Sequence, residues 1–325
     1  MDDSRLRTFG RAIALGLAVA VLAVVPVAGR AAPALVTLHL ALSIEDDATS
    51  VIYAEKAGLF RQAGLHVVFE RQRSGAAISA AVMAGTYDIG KAGLVALFNA
   101  HLQGARLSMI APAGRYERSA PYAALVVARD SPIRSAAALR GRKIGVPGLQ
   151  SVNSVVTSAW VDAHGGNSQT LELVEVPLAA AAAAVEHHRV DAAILVNPSL
   201  AAALDRGRVR ALAPAHSVVA PSFLISAWFA SNQWADAHRD VVRKFARVVA
   251  AAAAYTNAHH AETAPMLAEA TSVPLRVIER MTRVTNGTTL QVADLQPLLD
   301  VAIKYGVIPH GFFVRDLIYR RLSGP

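Results

Sequence analysis

Cysteine is absent from the whole 325-residue sequence. This absence excludes disulfide bonds, a thiolate metal site, a cysteine nucleophile and the lipid-modified N-terminal cysteine of an anchored export protein. Charged residues are also scarce, at 17%, whereas 54% of the residues are hydrophobic, a balance that excludes an intrinsically disordered chain. The length is sufficient for two domains of ordinary size or for one large domain.

The sequence also lacks the short motifs of the common catalytic folds. It contains no G-x-x-x-x-G-K-[ST], no G-x-S-x-G and no H-E-x-x-H. Two pairs of adjacent histidines, at 187–188 and 259–260, lie on predicted helices, where neighbouring side chains point about 100° apart and do not converge on a metal. We therefore expect no catalytic residue, no metal site and no cofactor.

One long uncharged apolar run is present, and it lies at residues 12–25. A basic start precedes this run, and proline, glycine and small residues follow it. This order is typical of a secretory signal peptide, and the run is short for a bilayer span. Residues 1–34 are therefore predicted to be a signal peptide that is cleaved near Ala31 or Ala34. An uncleaved anchor helix is the alternative.

The positive charge of the chain is mild once this segment is removed. Residues 1–31 carry four arginines and two aspartates, so their loss lowers the net charge from +8 to +6. The remaining cationic residues are dispersed and are not interleaved with aromatic residues, so we expect no nucleic-acid partner. Without a cysteine for lipid attachment, the predicted product is a freely diffusing periplasmic monomer.

The remaining chain alternates apolar strands with helices in two units. Such alternation, between residues 36 and 111 and again between 123 and 213, predicts an α/β fold with mostly parallel sheets. After residue 221, one strand precedes five helices, the last at 315–322, which we expect to pack on the first unit. The predicted domains are the signal peptide at 1–34, a discontinuous lobe 1 at 35–121 and 223–325, and lobe 2 at 122–222.

Small and hydroxyl residues follow several of the predicted strands at points where a helix begins. Ligands of open parallel sheets bind outside the carboxyl ends of the strands, and free N–H groups at helix N-termini bind anions. Gly90 follows a strand and is expected to let the backbone approach a ligand closely. The candidate ligand-binding residues are Asp47, Thr49, Ser50, Ser74, Gly75, Ala76, Lys91, Ala92, Gly93, Tyr116, Gln150, Ser151, Asn153, Asn197 and Trp228.

Four segments resemble the signatures of one protein family and occur in its order. Residues 53–67 are similar to A-x-x-x-G-l-F-x-x-x-G-L-x-V, and residues 80–90 to A-l-x-x-G-x-x-D-i-G. Residues 126–146 and 177–199 are similar to the two later signatures. The family is that of the NMT1/THI5-like solute-binding proteins of ABC importers, which bind nitrate, sulfonates, taurine or thiamine precursors. The resemblance implies the two-lobed periplasmic binding protein fold of type II, with two mostly parallel sheets joined by two hinge crossings.

The resemblance implies a binding function without catalysis. The protein would capture a small organic anion, of sulfonate or carboxylate type, and deliver it to an ABC permease in the inner membrane. Lys91 and the helix N-termini suit such an anion. The acidic loop at 45–47 instead suits a cationic ligand such as a thiamine pyrimidine, although this loop lacks the Trp and His of that branch. An enzyme of the thiamine-pyrimidine synthase type and a sensory module are further alternatives, and against the enzyme we expect no histidine in the cleft.

Overall fold

The computed structural model describes residues 34–72 and 74–322. The predicted signal peptide lies outside the described residues except for its last position, and its cleavage remains a prediction. The described strands, in chain order, are β1 (Val36–Leu42), β2 (Leu65–Arg71), β3 (Ile89–Gly93), β4 (Leu107–Pro112), β5 (Gly114–Glu117), β6 (Ala123–Ala128), β7 (Lys143–Val146), β8 (Glu172–Glu175), β9 (Ala192–Val196), β10 (Val209–Ala213), β11 (Ser222–Leu224), β12 (Ser226–Ser231) and β13 (Thr285–Asn286).

Helices follow most of these strands and account for most of the C-terminal third. The predicted helix at 315–322 is wrong, because only a short 3-10 turn forms there, at Val314–Leu317. The described α-helices are α1 (Thr49–Lys56), α2 (Leu59–Gln62), α3 (Gly75–Met83), α4 (Leu94–Leu102), α5 (Val152–Ala163), α6 (Leu178–Glu186), α7 (Ser199–Asp205), α8 (Asn232–Ala237), α9 (Arg239–Ala258), α10 (His260–Thr271), α11 (Leu275–Arg280) and α12 (Val292–Lys304). Within the described part of the chain, no helix combines the length and apolarity needed to cross a bilayer.

Two five-stranded sheets form the framework of the molecule. The first has the order β2–β1–β3–β12–β4, and β12 runs opposite to the other four strands. The second has the order β10–β6–β9–β7–β8, and β6 runs opposite to the rest. Four of the five strands in each sheet therefore share one direction, which confirms the prediction of two mostly parallel sheets.

Burial explains why the central strands read as continuous apolar runs in the sequence. Every residue of β4, β6 and β9 is buried, as expected for strands covered by helices on both faces. The edge strand β2 alternates only partly between buried and exposed positions. Opposite the first sheet, the long helix α9 buries Phe245, which stacks on Phe60 and meets Trp228 edge-on.

The chain passes between the two sheets twice, and the two passages are paired with each other. One passage contains β5 and the other contains β11, and these strands form a small antiparallel sheet in the order β11–β5–β13. Ser222 of β11 donates a hydrogen bond to Glu117 of β5 at 2.8 Å. The two hinge crossings are therefore short paired strands, while the exact lobe boundaries at 121–122 and 222–223 remain a prediction.

The C-terminal helices contact elements associated with both sheets. Helices α9 and α10 pack against α1, which follows the first strand of the first sheet. Helix α11 contacts α7, and α12 contacts both α4 and α5. Because α5 and α7 follow strands of the second sheet, the C-terminal helices contact both units, and not only the first unit as predicted from the sequence.

Candidate functional site

A cavity of about 780 Å³ lies where strand ends of both sheets meet. Its walls include the residues that follow the carboxyl ends of β1, β2 and β3 in the first sheet and of β7, β8 and β9 in the second. This volume falls in the range of about 300–1,000 Å³ that is common for small-molecule sites. The position agrees with the rule that open α/β sheets bind ligands beyond the carboxyl ends of their strands.

The N-terminus of α3 faces the cavity from the first sheet. Ser74 caps this helix, because its Oγ accepts a hydrogen bond from the N–H of Ala77 at 3.3 Å. Gly75 lies so close to β3 and α4 that a Cβ atom there would approach the Cβ atoms of Ala92 and Ala96 to 3.3 Å. The glycine therefore permits the close approach that brings the first turn of α3 to the cavity wall.

The N-terminus of α5 faces the cavity from the second sheet. Ser151 and Ser154 form a capping box, in which each hydroxyl oxygen accepts the backbone N–H of the other residue at 3.2 Å. These serine hydroxyls are therefore used in the cap. The side-chain amide of Asn153, a residue that is 9% exposed, bonds to no other side chain or backbone group among the described residues. The amide of Asn153 is thus available to a solute.

An ion-paired lysine forms part of the wall on the first sheet. Lys91 is 3% exposed, pairs with Asp47, and lies 3.8 Å from the Oε2 atom of Glu45. Asp47 is held in place by a second contact, since its Oδ2 accepts a hydrogen bond from the Ser226 hydroxyl at 2.6 Å. Burial raises the pKa of Glu45, an effect that Lys91 opposes and Asp47 reinforces. Lys91 is therefore already neutralised by acidic residues of the chain.

The carboxylate next to this group, Asp46, has a structural role. Asp46 is buried and accepts hydrogen bonds from the Arg283 Nε atom at 2.8 Å and from the Val284 N–H at 2.6 Å. Burial raises its pKa, and the Arg283 charge opposes that rise. This ion pair fixes the loop before α1 to the segment before β13, which orients the neighbouring Asp47 and Glu45 toward the cavity.

A buried histidine also lines the cavity, contrary to the sequence-based expectation that the cleft lacks one. His216 lies in the 3-10 turn Ala215–Val218 after β10. Its ring centroid is 5.7 Å from that of Tyr116, in a stacked arrangement, and 5.6 Å from that of Tyr122. Burial lowers the pKa of His216 to about 3, so the imidazole is neutral at physiological pH.

Most of the residues predicted from the sequence lie along this cavity. Asn197 is among them, but its side chain is engaged elsewhere: Nδ2 donates to the Thr282 carbonyl at 2.7 Å and Oδ1 accepts the Ala201 N–H at 3.0 Å. The predicted residues that line the cavity are Asp47, Ser74, Gly75, Ala76, Lys91, Ala92, Gly93, Gln150, Ser151, Asn153 and Asn197.

Four predicted residues lie elsewhere: Thr49, Ser50, Tyr116 and Trp228. Thr49 and Ser50 are buried in the first turn of α1, and the Thr49 hydroxyl bonds to Asp46. Tyr116 and Trp228 are fully buried, the former behind the cavity wall and the latter in the core beneath α9. Neither side chain lines the cavity: the Tyr116 ring stacks on His216, and Trp228 lies two residues farther along β12 than Ser226 and packs against Phe245 of α9.

Several cavity residues were missed because strand direction cannot be read from composition. Tyr122 precedes β6, and Ser226 begins β12. These two strands are antiparallel to their neighbours, so their amino ends lie at the edge where the other strands end. His216 follows β10 and could have been found by applying the strand-end rule there. The other polar lining residues outside the candidate set are Ser43, Arg71, Gln72, Glu175 and Glu45, of which Glu45 belongs to the acidic loop that the sequence marked as suited to a cationic ligand.

A protein-family model described as NMT1/THI5 like matches residues 45–263, which is most of the described chain. The chain belongs to the NMT1/THI5-like family. This match confirms the resemblance drawn from the signature segments. No curated protein matches this family member in sequence.

Solved structures share the fold of this NMT1/THI5-like protein. The alkanesulfonate-binding protein SsuA from Xanthomonas axonopodis pv. citri, bound to MOPS, is 19% identical with a TM-score of 0.75, over 89% of this chain and 99% of that one. The periplasmic aliphatic sulphonate binding protein SsuA from Escherichia coli is 21% identical with a TM-score of 0.69, over 88% and 98%. The periplasmic nitrate-binding protein NrtA from Synechocystis PCC 6803 is 14% identical with a TM-score of 0.70, over 87% and 84%. The two-lobed periplasmic binding protein fold is thereby confirmed.

Proposed function

We propose that this protein is the solute-binding component of an ABC importer. It would capture a small organic solute in the cavity and deliver it to an inner-membrane permease without chemical change. The observation that carries this proposal is the cavity itself. Strand ends of both sheets line it, and two short crossings join the two halves of the molecule. Such an arrangement allows hinge closure around a solute.

The cellular setting is proposed to be the periplasm. The predicted signal peptide supports export, and two of the proteins with the same fold, SsuA from Escherichia coli and NrtA, are periplasmic. The proposed mature protein is a monomer of two lobes, residues 35–121 with 223–325 and residues 122–222, and it has no nucleic-acid partner. Hinge closure would occur between these lobes.

The solute is proposed to be a small organic anion of sulfonate or carboxylate type. The N-termini of α3 and α5, which reach the cavity from opposite sheets, support this assignment, because their N–H groups and helix dipoles attract negative charge. The pairing of Lys91 with Asp47 and Glu45 means that the acid group would bind at these helix ends. Lys91 would influence solute binding only indirectly, by holding the carboxylates of Asp47 and Glu45 in place.

A thiamine-precursor pyrimidine is the second candidate. The observation that favours it is the wall formed by Glu45, Asp47, Tyr122 and the neutral His216. Carboxylates accept hydrogen bonds from ring amino groups, and a neutral imidazole bonds to uncharged ring nitrogens. A cavity of about 780 Å³ also has room for a heterocycle.

Isothermal titration calorimetry on a blocked cavity tests the proposed function. Ala76 is exposed, lies in the first turn of α3 and lines the cavity, whereas its neighbour Ala77 is exposed but does not line it. We expect the wild-type protein and Ala77→Trp to bind at least one of a panel of alkanesulfonates, carboxylates and aminopyrimidines. Ala76→Trp should lose that binding at least tenfold, because the indole occupies the cavity. Equal binding by both tryptophan variants would contradict the assignment of this cavity.

A further inference from the structure

His216 is a buried polar residue whose ring nitrogens have no partner. Neither Nδ1 nor Nε2 forms a hydrogen bond among the described residues, although both atoms are inaccessible to solvent. The hydroxyl of Tyr116, whose ring stacks on the imidazole, is instead close to the Ser217 side chain. Two unsatisfied polar atoms thus belong to one buried side chain in the cavity wall.

A buried imidazole with both nitrogens unsatisfied has an energetic cost that the fold does not require. Buried donors and acceptors in proteins are almost always hydrogen-bonded, and an exception calls for a specific explanation. A phenylalanine at this position would keep the stacked ring and remove both unpartnered nitrogens. The presence of histidine at the wall of the cavity is explained if the solute supplies the missing hydrogen bond.

The surroundings of His216 define what the solute must offer at this wall. The ring is packed between Tyr116 of β5, Tyr122 before β6 and the helix α5. Burial raises the pKa of the Tyr122 hydroxyl, and the charges of Asp47 and Glu45 are close enough to raise it further. The polar groups facing the solute here are thus a neutral imidazole, a phenol and carboxylates, and none is a free cation.

We propose that His216 is a solute-contacting and specificity-determining residue, which bonds through a ring nitrogen to an uncharged polar atom of the solute, such as a hydroxyl, an ether oxygen or a ring nitrogen. This proposal rests on the proposed function. The role of His216 restricts the ligand to organic solutes that carry an uncharged polar atom in addition to any acid group. A simple inorganic oxyanion, which has no second polar group, is excluded as the preferred ligand.

Calorimetry with MOPS, 4-amino-5-hydroxymethyl-2-methylpyrimidine and nitrate tests this inference. We expect His216→Phe to weaken binding of the tighter organic compound about tenfold or more, because the solute atom loses its partner. His216→Gln, which keeps a donor and an acceptor, should lose less. His238→Phe is the matched control, since His238 stacks on Trp234 and is exposed outside the cavity, and its affinity should equal that of the wild type.

The outcomes separate this inference from the proposed function. If wild type binds an organic compound and His216→Phe binds it equally well, the role of His216 is overturned while the binding function stands. If wild type binds nitrate more tightly than both organic compounds, the specificity claim is overturned. If wild type binds none of the three, these ligand classes fail, and the melting temperature of the free protein decides the role of His216. A lower melting temperature for His216→Phe than for wild type would show that the imidazole has a partner without solute. That result would overturn the assignment of His216 to solute binding.

Discussion

At the scale of single residues, Lys91 shows how a charged side chain can line a cavity without serving as a free counter-ion. The sequence places a lysine at a strand end, and this suggests an anion site. The structure brings Asp47 and Glu45 from the loop after β1 against the same ammonium group. A lysine that is 3% exposed requires such partners, because an unpaired buried charge is too costly to retain.

Replacement of Lys91 should therefore affect stability strongly. We expect Lys91→Met to lower the free energy of unfolding by about 3–5 kcal/mol, since it leaves buried carboxylates without a counter-ion. Adding Asp47→Asn to this variant should restore part of the loss. Urea denaturation monitored by circular dichroism measures both effects.

The matched control for Lys91 is a lysine that pairs with an acid on the surface. Lys56 and Glu269 form such a pair, with side chains 39% and 72% exposed. Lys56→Met should cost no more than about 1 kcal/mol, as is usual for exposed pairs. Similar losses in the two methionine variants would contradict the assignment of Lys91 to a buried pair.

The candidate site was predictable from the sequence only in part, and the residues show why. Ser74, Gly75, Gln150 and Ser151 were found because a strand end followed by a helix start is visible in a local pattern. Tyr122 was not found, because its place at the cavity depends on the antiparallel direction of β6. A long-range pairing of this kind leaves no signal in the neighbouring residues.

At the scale of elements, Gly90 allows a close approach, but to neighbouring elements of the fold and not to the cavity, which it does not line. From the sequence, the missing side chain of Gly90 was expected to let the backbone approach a ligand. In the structure, a Cβ atom at this position would come within 2.6 Å of Ile78 and 2.7 Å of Phe229. Gly90 thus allows β3 to lie close to α3 and β12, and it contributes to the site only by positioning those elements.

The packing role of Gly90 can be measured by adding one methyl group. We expect Gly90→Ala to lower the free energy of unfolding by about 1–3 kcal/mol, because α3 or β12 must shift to accept the extra atom. Urea denaturation is the measurement. Gly311→Ala is the control, since its added Cβ would meet only the Ile303 side chain at an ordinary 3.6 Å and should change stability by less than about 0.5 kcal/mol. Equal stability of the two alanine variants would remove this explanation of Gly90.

The element order was predictable to a greater extent than the connections between elements. The apolar runs that became β4, β6 and β9 are buried on both faces, and such strands are visible in sequence as continuous hydrophobic segments. The short strands β5 and β13 gave no such signal, and the one strand expected after residue 221 forms as two, β11 and β12. Strands β5, β11 and β13 form because the two crossings lie side by side in the folded chain, which local composition does not encode.

At the scale of the whole molecule, the cavity depends on two halves that the chain connects twice. Strand ends of both sheets reach the cavity, and α12 contacts helices from both sides of it. Asn197, at the end of β9, also bonds to the Thr282 carbonyl in the C-terminal segment. Elements of the two sheets are therefore in contact through α12 and Asn197 as well as through the two crossings.

The central claim is that this cavity holds a small organic solute between the two halves of the molecule. A crystal structure of the mature protein, grown with the tightest compound from the calorimetric panel, tests it most directly. We predict a single solute in the cavity, with its acid group at the N-termini of α3 and α5 and a polar atom within hydrogen-bonding distance of His216. A solute bound elsewhere on the molecule, with this cavity filled only by water, would contradict the account.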